Sequence, residues 1–140
     1  MQNRSMPPGG LIPELLYDDM PAAVAWLCAT FGFTERLRIG AHRTQMLIGA
    51  GTAFVAVQRP GGGPAERAAP GCSLMVRVDD ADGHHARAVQ GGARIIAPPA
   101  NYPYGERQYT AEDPGGFRWT FSQAIDDIDP ATWGGVLVGG

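Results

Sequence analysis

A chain of 140 residues with 44% hydrophobic and 18% charged side chains has the composition of a globular domain and excludes a disordered one. A net charge of −3 gives no reason for attraction to nucleic acid or to an anionic membrane surface. No apolar run reaches the length of a membrane span, and the opening MQNRSMPPGG lacks the apolar stretch of a secretory leader.

In chain order, residues 1–10 read as a flexible lead, and the protein as cytoplasmic. Leu11–Tyr17, LIPELLY, reads as a strand. Asp19 caps the helix that follows, and Pro21 is tolerated in its first turn. Val24, Leu27, Cys28 and Phe31 form one apolar helix face, and Gly32 ends the helix. Three strands are predicted at Glu35–Ile39, Thr44–Ile48 and Thr52–Gln58, separated by Gly40 and by the turn Gly49–Gly51. A Gly-, Pro- and Ala-rich linker, residues 60–70, leads to a second half. Its Gly61–Gly63 run lacks the GK[ST] ending and following helix of a phosphate loop.

The second half repeats the first. Cys72–Val78 is a strand; Asp79 and Asp80 precede the helix ADGHHARAVQ; Gly91 and Gly92 end it; and strands follow near Arg94–Ala97, Arg107–Glu112 and Phe117–Gln123. The aspartate pairs Asp18-Asp19 and Asp79-Asp80 recur about 60 residues apart, the spacing of duplicated units. Their equivalent placement is explained by helix capping, not by acid–base chemistry. The expected architecture is α+β: two βαβββ units (11–59 and 71–123) forming a concave, barrel-like mixed sheet, with 124–140 as a tail. Each helix lies on the convex side of its sheet, and the opposite side lines a cavity.

Strand parity then nominates cavity residues. In EDPGGFRWTFSQ, Asp113–Gly116 forms a turn, Trp119 and Phe121 pack under the helix, and Arg118, Thr120 and Ser122 face the cavity. The same reading adds Glu14 and Leu16 from the first strand, Phe54 and Gln58 from the fourth, and Met75 and Arg77 from the fifth. Pro98–Arg107 is read as a loop whose Tyr102, Tyr104 and Arg107 cover the cavity mouth. A mixed apolar and hydrogen-bonding lining of this kind suits a modest organic ligand. His84 and His85 are adjacent on a helix, diverge by about 100°, and are read with His42 as exposed polar positions. Cys28 and Cys72 are read as reduced, buried thiols.

The duplicated pattern, DPGGFRWTF and the preceding YGERQYTAEDP resemble the vicinal oxygen chelate superfamily of glyoxalase I, bleomycin-resistance proteins and extradiol dioxygenases, and within it the small glyoxalase-like or PhnB-like bacterial members. The resemblance runs from about Leu11 to Gln123. It implies a glyoxalase-like fold, which hosts many chemistries. The family's enzymes hold a divalent metal on four inward residues, and those positions fall here on Ile12, Ala56, Ser73 and Thr120. None is a customary ligand, and a small error of register would add only Glu14. The resemblance therefore implies a metal-free protein without cofactor that sequesters or carries a small organic molecule, with Ser73 and Thr120 among the cavity residues. The alternative is a lyase, isomerase or dioxygenase with an atypical or absent metal site, using Glu14 or a tyrosine as acid–base group. Exposed sheet edges imply a homodimer.

Overall fold

The computed structural model describes residues 1–61 and 71–139, so most of the predicted linker lies outside the described residues. The first unit comprises β1 (Glu14–Tyr17), α1 (Met20–Phe31), β2 (Thr34–Ile39), β3 (Arg43–Ile48) and β4 (Thr52–Gln58). The second comprises β5 (Leu74–Arg77), α2 (Ala81–Gln90), β6 (Arg94–Tyr102), β7 (Glu106–Glu112) and β8 (Arg118–Ala124). A short 3-10 helix at Pro130–Trp133 lies in the tail. The strand orders are β1-β4-β3-β2 and β5-β8-β7-β6, two equivalent four-stranded sheets. In each, the outer first strand runs parallel to the last, and the other pairs are antiparallel.

The two helices begin in the same way, and the reason is visible in both units. Asp19 accepts from the Ala22 amide at 3.1 Å, and Asp80 from the Gly83 amide at 3.0 Å. A glutamine from the last strand satisfies a further N-terminal amide in each case. Gln58 Oε1 accepts from Met20 N at 2.8 Å, and Gln123 Oε1 from Ala81 N at 2.9 Å. These amides have no partner within the helix and would otherwise be left to solvent.

The sequence reading placed Pro98–Arg107 in a loop, but β6 runs through Pro98 and Pro99 as far as Tyr102. It is the edge strand of its sheet, where a proline forfeits no ladder hydrogen bond, and its pairing with β7 shifts register on both sides of Ala97. Cys72 is exposed and Cys28 half-buried, so neither is the enclosed thiol expected; both are free.

One hydrophobic core joins the two units. Leu15, Leu27, Phe31, Met46 and Phe54 from the first pack with Ala88, Tyr109, Trp119 and Phe121 from the second. Phe31, Phe33 and Phe54 all surround the Trp119 ring, with centroids 5.2–6.1 Å apart. Trp119 is 1% and Phe121 0% exposed, as the alternation of FRWTFS predicts.

Polar contacts lock the same seam. The buried Asp113 accepts from the Tyr17 hydroxyl at 2.7 Å, the Trp119 indole at 2.9 Å, and the Gly115 and Phe117 amides at 2.8 and 3.1 Å. Burial pushes its carboxyl above the ordinary carboxylate range, and these donors partly oppose the rise. Burial and the Asp113 charge together push the Tyr17 phenol far upward, so it serves only as a donor.

At the other end of the seam, α2 completes the C-terminus of α1. His84 Nε2 donates to Phe31 O at 2.9 Å, while Arg87 donates to Ala29 O at 3.1 Å and to Cys28 O at 3.2 Å. A carbonyl can only accept, so Nε2 carries the proton, and Nδ1 accepts from the Tyr109 hydroxyl. The helices approach closely enough that a Cβ on Gly91 would sit 2.5 Å from Thr30 Oγ1. His84 is therefore not the exposed polar residue expected from its helix; its ring lies 4.0 Å from that of Phe121.

Burial, with Arg87 in support, holds the His84 imidazole below its usual 6.5, against the opposing pull of the Phe31 carbonyl. The folded state then binds a proton less readily than the unfolded chain. Its contribution to stability is intact above about pH 6.5 and erodes as pH falls below that value towards the folded-state pKa. The expected result is a denaturant midpoint that drops between pH 7 and 5.5, with a shallower pH slope in His84→Gln; equal slopes in the two proteins would contradict it.

Candidate functional site

The register fixes which residues share the face away from the helices. In the second sheet, β5 sets Met75 against Thr120 and Arg77 against Ser122. Across β8, Ser122 faces Gln108, Thr120 faces Thr110, and Arg118 faces Glu112. Met75, Arg77, Arg118, Thr120 and Ser122 therefore lie on one open face, opposite the side that buries Trp119 and Phe121. Ser73, just before β5, is exposed.

This face carries a connected hydrogen-bond ladder. The Tyr104 hydroxyl donates to Gln108 Oε1 at 2.9 Å, Gln108 Nε2 donates to Ser122 Oγ at 2.9 Å, and Ser122 Oγ donates to Glu106 Oε1 at 2.7 Å. Thr110 and Thr120 share a 2.7 Å hydrogen bond beside it. Ser122 and Gln108 are buried beneath the surface and held in one orientation. Tyr104 is fixed from outside as well: its ring stacks on Tyr102 and meets Trp133 edge-on. The tail reaches this position because the Gly105 carbonyl, at φ +86°, accepts from the Ile125 amide, leaving no room there for a Cβ.

In the first sheet the pairing is Glu14 with Val55, Leu16 with Val57, Val55 with Gln45, and Val57 with Arg43. The open face therefore presents Glu14, Leu16, Val55, Val57, Gln45 and Arg43, with Glu14 ion-paired to Arg43. This corrects the parity of the fourth strand. Ala56 is wholly buried on the helix side. Gln58 is also on that side, where it binds Met20 N and Asp18 O. Phe54 belongs to the shared core and reaches the seam between the units.

Arg107 is likewise displaced from the expected cavity mouth. It lies on the helix side of β7, donating to Asp82 Oδ1 of α2 and to Asn101 Oδ1, each at 2.9 Å. Gln108, Glu106, Thr110 and Arg43 were not among the expected residues. For β7 the signal was present, because in ERQYTAE polar Glu106, Gln108 and Thr110 alternate with Tyr109 and Ala111.

A groove of about 380 Å³ runs along the seam between the two sheets. Leu11, Pro13 and Phe54 form one wall, and Leu74, Met75 and Arg77 of β5 the other, with Trp119 also lining it. Its size falls in the range of small-molecule pockets, and its lining is mostly apolar. Met75 and Arg77 belong both to this groove and to the open face carrying the ladder. The arrangement can bury an apolar surface in the groove while offering hydroxyl, amide and carboxylate groups alongside.

A divalent metal fits this face poorly. The central open-face positions are Glu14 and Val55 in the first unit and Met75 and Thr120 in the second. Among them stands a single carboxylate, already paired with Arg43. Among the described residues no group of three or more His, Cys, Asp or Glu could hold an ion. No helix among them is long and apolar enough to cross a membrane.

Residues 13–121 match the family model described as the Glyoxalase/Bleomycin resistance protein/Dioxygenase superfamily. The sequence is 34% identical over 108 residues to CFP32 of Mycobacterium tuberculosis, a protein whose name refers it to the glyoxylases. The match covers 74% of this chain and 39% of CFP32, so the chain spans about two-fifths of the length of this curated relative. Among solved structures, TioX from Micromonospora sp. ML1 aligns with a TM-score of 0.69 at 31% identity, covering 84% of this chain and 99% of TioX. A bleomycin resistance determinant encoded on transposon Tn5 aligns with a TM-score of 0.66 at 20% identity, covering 82% of this chain and 97% of that one, a likeness of fold.

Proposed function

This chain belongs to the glyoxalase/bleomycin resistance protein/dioxygenase superfamily, and from that premise we propose that it is a metal-free binding protein that sequesters or carries a small organic molecule. The observation that carries this reading is the chemistry of the open faces. The positions that the resemblance assigns to the metal carry Ile12, Ala56, Ser73 and Thr120, and the central open-face positions carry valine, methionine, threonine and one paired glutamate. Valine has no donor atom, and threonine hydroxyl and methionine thioether are poor ligands for a hard divalent ion. What remains is an apolar groove beside an ordered hydrogen-bond ladder, a surface suited to holding a molecule in a fixed orientation.

The ligand is expected to lie in the seam groove against Met75 and Leu74, with its polar edge on Thr120 and Tyr104. Leu16 is 48% and Met75 67% exposed on the open faces, and a two-fold dimer that brings open faces together would cover them. We place this dimer in the cytoplasm, where the unpaired Cys28 and Cys72 stay reduced.

The test pairs metal analysis with a binding screen. After equilibration with zinc, nickel, manganese or ferrous iron, the protein is expected to retain no stoichiometric ion, and Thr120→Glu is expected to fold without changing that result. A thermal-shift screen of organic compounds is expected to yield binders whose shift is lost in Met75→Asp. Tight one-to-one metal binding, or a screen with no binder, overturns the reading. Sedimentation at micromolar concentration is expected to show a dimer; a monomer counts against the assembly.

A further inference from the structure

The two open faces are equivalent by topology, yet they are not equally open. Val55 and Gln45 in the first sheet correspond to Thr120 and Thr110 in the second, each pair being opposed on neighbouring central strands. Thr110 and Thr120 are half-buried, whereas Val55 is 4% and Gln45 6% exposed. The difference is explained by the residues ahead of β1, which sequence analysis read as a flexible lead. Gln45 Nε2 donates to Ser5 O at 2.8 Å, and Arg36 Nη2 donates to Arg4 O at 2.8 Å. Arg36 also donates to Gln45 Oε1, so the two side chains form one bracket under the lead. Pro7 is buried, and Gly9 lies against the carbonyls of Leu11 and Gly51. The lead therefore crosses the open face from the β3–β4 turn towards β2.

We propose that residues 4–8 are a displaceable strap over the apolar half of the open face, which must lift before a ligand can reach Val55 and Gln45. The attachment has the features of a reversible closure. Its polar anchors are side chains of the sheet donating to backbone carbonyls of the strap, and among the described residues no regular element holds it from the other side. Pro7 and Pro8 stiffen the segment, so it swings as a unit and loses little chain entropy on docking. The asymmetry divides the binding surface: Thr110, Thr120 and Tyr104 of the second sheet are half-buried without a strap over them, and the aliphatic patch of the first is reached only when the strap is lifted. The ligand part of this inference rests on the binding function proposed above; the strap itself does not.

The test uses the full chain. Trypsin cleaves after Arg4, where the backbone is tethered to the sheet while the Arg4 carbonyl is held by Arg36 and so resists the extended form a protease binds. In the Arg36→Ala/Gln45→Ala double variant, cleavage at Arg4–Ser5, followed by mass spectrometry, is expected to accelerate about tenfold, as loss of a typical hydrogen-bonded anchor allows. Fluorescence of added 8-anilinonaphthalene-1-sulfonate is expected to rise in parallel as Val55 is uncovered, with circular dichroism unchanged. Parental cleavage and dye emission in a folded double variant overturn the proposal. If that variant does not fold, Pro7→Gly gives the same reading, and an unchanged cleavage rate there overturns it too. A failed compound screen overturns the binding function and leaves strap release as measured, so the two failures are distinguishable.

Discussion

Replacing Trp119 with alanine is expected to lower the free energy of unfolding by roughly 3–5 kcal/mol, in the range found for deeply buried aromatics. The expectation follows from where the ring lies. It is 1% exposed, packs against Phe31, Phe33 and Phe54 of the other unit, and donates its indole N–H to buried Asp113. Truncation therefore opens a cavity at the joint between the units and leaves a carboxylate short of a donor. The neighbouring Thr120→Ala, on the open face, removes one half-exposed hydrogen bond to Thr110 and is expected to change stability by about 1 kcal/mol or less. Guanidinium titrations followed by circular dichroism compare the two. A Trp119→Ala loss no larger than that of Thr120→Ala would refute the role given to the ring.

A loss of comparable size is expected for Asp113→Ala. That substitution strands the Tyr17 hydroxyl, the Trp119 indole and the amides of Gly115 and Phe117. A buried donor left without an acceptor costs about 1–3 kcal/mol. Because these donors share one acceptor, their losses do not add, and a total near 4 kcal/mol is expected. Tyr17→Phe removes only one of the four contacts and is expected to be milder. Combining it with Asp113→Ala should cost less than the two single losses together, since the stranded hydroxyl is then gone. An Asp113→Ala protein within 1 kcal/mol of the parent would show that the DPGG turn does not need its aspartate.

Much of this fold could be read from the sequence because its signals are local. Asp19 and Asp80 before each helix, Gly32 after the first, and the alternation in FRWTFS each follow from the chemistry of a few neighbouring residues. The face of β8 was legible for the same reason: polar and aromatic residues alternate there, so parity puts Thr120 and Ser122 on the side opposite Trp119 and Phe121, where the register has them. In the first unit TAFVAV is apolar on both faces, because one face meets the helix core and the other holds the buried Ala53 and Val55. Such a strand carries no parity signal, and Phe54 and Gln58 were placed on the wrong side. His84 was misread for a different reason. Its environment comes from Phe31 and Tyr109, distant in sequence, and nothing in ADGHHARAVQ encodes their approach.

The contacts by which α2 closes the end of α1 bear on how the two halves of this molecule relate as copies. Counting from the capping aspartates Asp19 and Asp80, the positions of His84 and Arg87 in the second helix correspond to Ala23 and Trp26 in the first. The second half supplies donors from His84 and Arg87 and the first supplies carbonyls, and Ala23, the counterpart of His84, has no donor to return. The joint has therefore lost the symmetry of the duplication. Two copies of the first half would meet with two unsatisfied helix ends, and two copies of the second with two sets of idle donors. The halves have become non-interchangeable partners, so further change in either is constrained by the other, even where both keep the same strand order.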